Sequence, residues 1–122
     1  MLLAALIDPP DAPTLPAWDT LPPIILRQPR QVTPAAAEFV ATEVAEGRCV
    51  LPPPEQHHLR VDVALLIARS GRVLASVPHA IDCPTVEQYA AGLAIGWVRG
   101  NLHPRLGRMG WYRLRLDFDW TQ

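Results

Sequence analysis

Proline sets the first limit on how this chain folds. Each proline fixes φ at about −65° and removes a main-chain donor, which keeps it out of helix interiors and central strands. The sequence carries 14 prolines in 122 residues, and Pro9, Pro10, Pro13, Pro16, Pro22, Pro23, Pro29 and Pro34 crowd the stretch from Asp8 to Pro34. Such density blocks regular elements and favours polyproline II, so residues 1–33 read as a leader or spacer and residues 34–122 as the folded domain. Leu21, Ile24, Ile25 and Leu26 are too apolar for a wholly solvated linker, and part of the leader is expected to lie against the domain.

The remaining prolines bracket the elements. Pro34 suits the first position of a helix, with Thr33 as N-cap and Gly47 just past the end, which predicts a helix over 34–46. Pro52-Pro53-Pro54 ends any regular element. Leu59, Val61, Val63, Leu65 and Ile67 then alternate with Arg60, Asp62, Ala64, Leu66 and Ala68, the two-residue period of a strand. Ser70-Gly71 supplies a turn, Val73, Ala75 and Val77 resume the alternation, and Pro78 closes the hairpin. A second helix starts near Pro84, capped by Asp82, Cys83 or Thr85, with Thr85-Val86-Glu87-Gln88 matching a capping box. Val86, Tyr89, Ala90, Leu93 and Trp97 form its buried face, and Gly92 and Gly96 are expected to permit close approach of a neighbour. After a loop from Gly100 to Gly110, Tyr112, Leu114, Leu116, Phe118 and Trp120 alternate with Trp111, Arg113, Arg115, Asp117 and Asp119. The order is α-β-β-α-β, an α+β fold. The crossover through the second helix predicts a three-stranded antiparallel sheet with two helices on one face and the last strand at an edge.

Composition removes several functions. Eleven basic residues, all Arg, face 12 acidic ones, so no net charge draws the chain to nucleic acid or to an anionic membrane. Trp111 and Tyr112 beside Arg108, Arg113 and Arg115 form a weak stacking platform for single strands. No run of about 20 apolar residues is present to span a bilayer. Leu2–Ile7 is apolar but lacks the basic flank of a targeting signal, and reads either as the stub of an anchor or as a packing segment.

Cys49 and Cys83 fit no zinc or redox spacing, leaving one disulfide or two inert thiols. His57, His58, His79, His103, Asp82 and Cys83 are the residues from which a metal site might be assembled, and their spacing matches no metal motif. Ser70 and Ser76 sit in no nucleophile elbow, and no glycine-rich phosphate loop follows a strand. Neither a catalytic centre nor a cofactor is expected.

Gln28-Pro29-Arg30, a short helix ending at Gly47, Ser70-Gly71-Arg72-Val73 at the hairpin tip, Trp97 late in the second helix and a closing alternating strand occur in an order that resembles the TonB carboxy-terminal domain over about residues 27–120. The resemblance implies a periplasmic module tethered to the inner membrane, by an anchor outside this chain, that captures an extended segment of an outer-membrane transporter. It assigns partner contact to Gln28, Pro29 and Arg30 and to Trp111, Arg113, Arg115, Asp117 and Asp119. The physical mode is strand addition, in which a free edge offers main-chain donors and acceptors to an extended ligand. Arg113 and Arg115, set against Asp117 and Asp119, are expected to fix the register of the incoming strand. Two other functions fit the pattern: a structural subunit of a secretion or envelope assembly whose edge pairs within a homodimer or larger oligomer, and a small metal-dependent enzyme.

Overall fold

The structure, a computed structural model, describes residues 14–49, 57–106 and 109–120. Leu2–Ile7, the leader's first prolines, Pro52–Pro54 and Arg108 therefore lie outside the described residues.

Helix α1 spans Pro34–Ala45, strand β1 His58–Ile67, strand β2 Val73–Pro78, helix α2 Pro84–Val98 and strand β3 Gly110–Asp119, with short 3₁₀ turns at Trp18–Thr20 and Pro104–Leu106. The sheet order is β2-β1-β3 with both pairings antiparallel, the expected α+β topology. The Thr33 side chain accepts the Ala36 N–H as N-cap of α1. At the other end Arg48 N–H bonds Glu43 C=O and Gly47 N–H bonds Val44 C=O, with Gly47 at φ +81°, a Schellman motif that needs a residue free of a Cβ penalty.

At the start of α2 the cap is one of the three expected residues, whereas the capping box does not form as expected. Cys83 is the N-cap and makes no side-chain cap bond. Glu87, one position ahead of the predicted Gln88, reaches back to accept the N–H groups of Ile81 and Cys83. Thr85 is drawn away from capping because its hydroxyl donates to Glu43 of α1. Gly92 and Gly96 are exposed, and a Cβ built on either meets nothing within 4 Å, so neither serves the close approach expected of it.

Both helices pack on one face of the sheet. Ala36 and Val40 of α1 and Val86, Ala90, Ala94, Trp97 and Val98 of α2 share a core with Leu59, Val61, Val63, Leu65 and Ile67 of β1 and Tyr112, Leu114, Leu116 and Phe118 of β3. Small residues on the helices let them sit close to the sheet. Ala64 and Leu66, on the opposite face by the strand alternation, are also buried. Trp18 lies on the His79 ring at a centroid distance of 4.5 Å, Leu21 is buried, and Pro22 and Ile24 reach the far side of β3.

Candidate functional site

The two sheet edges are unequal. β2 is short, ends in Pro78 and carries a bulge at Leu74, where the pairing skips from Ala75 to Val73, features that blunt an edge against further pairing. β3 is longer. Its residues Tyr112, Leu114, Leu116 and Phe118 point their side chains to the helices and direct their main-chain groups to β1; in an antiparallel ladder the intervening residues direct theirs outward. Arg113 shows that direction: its N–H donates to Pro22 C=O at 2.8 Å and its C=O accepts from Ile24 N–H at 2.9 Å, a parallel bridge between leader and edge.

Arg113, one residue of the expected binding set, thus lies under the leader. Its main chain is already engaged by the leader and is closed to another strand while the leader stays in place. Beyond Ile24 the leader leaves β3. The outward N–H and C=O groups of Arg115, Asp117 and Asp119 have no backbone partner among the described residues.

A groove of about 830 Å³ opens along that free part of the edge. One wall is the edge itself at Arg115, Asp117, Asp119 and Trp120; the other is Arg30–Thr33 with the first turns of α1, at Pro34, Ala37, Glu38 and Ala41; Trp97 of α2 also lines it. The groove thus sets outward main-chain groups on one side against a mixed wall on the other, apolar at Val32, Pro34, Ala37 and Ala41 and polar at Arg30, Gln31, Thr33 and Glu38. Arg30 lines it, whereas Gln28 and Pro29 do not.

Gln28 instead positions the wall. The buried Asn101 side chain accepts the Gln28 N–H and donates to the Gln28 C=O, both at 2.9 Å, and donates again to Trp97 C=O. Its own C=O accepts the Arg27 N–H at 2.7 Å. One buried amide thereby pins the leader to the end of α2, and sequence reasoning missed it because Asn101 sits in a loop read only as rich in Gly and Arg. The far end of α1 is held by Glu43, which accepts from Thr85 at 2.5 Å and from the Arg48 guanidinium at 2.7 and 2.9 Å. Those bonds, the Arg48 contact foremost, hold the Glu43 carboxyl below the usual carboxylate range. Next to them Cys49 and Cys83 form a disulfide with a Cα separation of 4.6 Å, joining the exit of α1 to the entry of α2.

The charged side chains of β3 have partners on β1. His58 stands opposite Asp119, Arg60 opposite Asp117 and Asp62 opposite Arg115 in the β1–β3 register. Each pair is in contact, at 2.5, 2.9 and 3.0 Å. These are the non-hydrogen-bonded positions of the ladder, where facing side chains come closest. These charges therefore bridge β3 to β1 within the molecule. Asp117 also pushes the Arg60 guanidinium pKa up, chiefly by hydrogen bonding.

The residues weighed for metal binding are dispersed. His58 is occupied by Asp119, His79 lies under Trp18, the Nδ1 of His103 accepts the Arg105 N–H, and Cys83 is in the disulfide. Among the described residues no three His, Cys, Asp or Glu side chains gather where they could share a metal ion. No helix of the described residues is long and apolar enough to cross a membrane. Comparison of the chain with protein-family models, with curated proteins and with solved structures finds no match.

Proposed function

We propose that this chain is a protein-binding module that captures an extended segment of a partner polypeptide by strand addition at the outer side of β3, from Arg115 to Asp119. The observation that carries the reading is the coincidence, at the same stretch of edge, of outward main-chain groups without a backbone partner among the described residues and a groove of mixed polar and apolar lining. The resemblance to the TonB carboxy-terminal domain supplies a partner class, an outer-membrane transporter or another envelope protein. The α-β-β-α-β order and the disulfide support that periplasmic reading, since disulfides persist in oxidising compartments.

Selectivity in this reading comes from the groove rather than from the charges. Positions of the captured strand that face the helices would meet Val32, Ala37, Ala41, Trp97 and Trp120, whereas Arg115, Asp117 and Asp119 already contact Asp62, Arg60 and His58 of β1.

The test uses the outward direction of one amide. Peptides selected by display against the folded chain are expected, in NMR titration, to shift the amides of Arg115, Asp117 and Asp119 and to leave those of Leu74 and Ser76 unmoved. Asp117→Pro deletes an outward donor while leaving the main-chain bonds of Leu116 and Phe118 to β1, and is expected to weaken such a peptide by about tenfold, whereas Asp117→Ala, which likewise loses the Arg60 contact but keeps the donor, is expected to bind as wild type. Asp117→Asn, which keeps the donor, is expected to bind as wild type. Equal affinity for wild type and Asp117→Pro places the site elsewhere. Light scattering separates capture from self-pairing, because a chain whose edge serves an oligomer elutes as a dimer without peptide.

A further inference from the structure

The free part of the β3 edge stops where the leader joins it, and the leader's hold there is slight. Pro22 has no N–H, so the bridge to Arg113 lacks the leader donor that a further rung toward the amino terminus would use. Toward the carboxy terminus Ile25 and Leu26 turn away, Ile25 C=O accepting from His103 N–H at 2.9 Å and Leu26 pairing with Leu102. Two hydrogen bonds are thus all that the described leader makes to the main chain of β3. The rest of its grip lies off the edge: Leu21 buried, Trp18 on His79, and Asn101 clamping Gln28.

We infer that the leader segment Pro22–Ile24 is a built-in competitor for the edge, limiting a captured strand to Arg115–Asp119 and giving way when a longer strand pairs on through Arg113. The inference rests on the reading of that edge as the capture site. Arg115–Asp119 accommodates a segment of about five residues, roughly 17 Å of extended chain, without contact at Ile24. A longer segment must take the two Arg113 bonds from Pro22 and Ile24, so main-chain bonds are exchanged rather than lost. What opposes the exchange is the packing of Leu21 and Trp18. By linkage, a change that loosens the leader strengthens long strands and leaves short ones as they were.

Two probes of strong β-propensity make the test: acetylated and amidated peptides of alternating Thr and Val, five and nine residues long. Wild-type chain is expected to bind both within about twofold. Ile24→Pro removes the donor to Arg113 C=O, and Leu21→Ala loosens the buried anchor without altering the edge. In both variants the nine-residue peptide is expected to gain about tenfold while the five-residue peptide is unchanged, and the Arg113 amide is expected to exchange faster in the free protein. If the nine-residue peptide gains nothing in either variant, or both peptides gain alike, the leader is no competitor although capture stands. If neither peptide binds wild type or variants, the capture site itself is refuted and the inference falls with it.

Discussion

Glu43 is 6% exposed, a placement that costs a carboxylate dearly unless it is paired and hydrogen-bonded. Arg48 and Thr85 satisfy it, and the result joins three parts of the chain: α1, the loop after it and the first turn of α2. Because the folded protein holds this carboxyl below its ordinary pKa of 4.5, its stabilising contribution is present above that value and is lost as pH falls through the folded pKa. Thermal melts across the acid range are expected to show wild type more stable than Glu43→Gln at neutral pH, with the difference shrinking below about pH 4.5. A difference that stays constant with pH would assign Glu43 a packing role only. At the same scale Asp117 and Asp119 alternate as an exposed edge should, and their partners Arg60 and His58 lie far away in sequence.

At the scale of elements, α2 carries Gly92 and Gly96 on its exposed side, where a Cβ meets nothing within 4 Å. A helix-interior glycine costs about 1 kcal/mol against alanine, so Gly92→Ala and Gly96→Ala are each expected to raise stability by about that amount in denaturant titration. No gain would mean that the exposed side of α2 is not simply solvated. The sheet edges divide their roles in the same physical terms. β2 is short, bulged and closed by a proline, and β3 is long and regular, with its outer side shared between the leader at Arg113 and the groove from Arg115 onward.

Across the whole molecule, the disulfide and the leader act at opposite ends of the groove wall. Cys49–Cys83 closes a loop of sequence separation 34, and a loop of that size stabilises by about 3–4 kcal/mol when it is tied in the unfolded chain. Cys49→Ala with Cys83→Ala is expected to cost about that much, read as a lower denaturation midpoint; an unchanged midpoint would show that the helix junction holds without the bridge. The described leader is part of the fold: Leu21 is buried against it, Arg113 pairs with it and Asn101 clamps it. A boundary at residue 33 therefore separates the chain by composition more than by packing.

Local rules sufficed for the elements. Pro34 and Gly47 around α1, the alternation of β1 and β3, the Ser70-Gly71 turn and Pro84 at the start of α2 are signals contained within a few residues, and backbone sterics and side-chain periodicity act at that range. Thus the amino-acid order alone determined the α-β-β-α-β order, the sheet order and the apolar faces. Tertiary structure decided how the edge is used. The pairing of Pro22 and Ile24 with Arg113, the Asn101 clamp on Gln28, and the capture of Asp117 and Asp119 by β1 all join residues distant in sequence. A hydrogen-bonding group carries no mark of its partner, and only the folded chain, by bringing the leader round the sheet, settles which main-chain groups are taken and which face the groove.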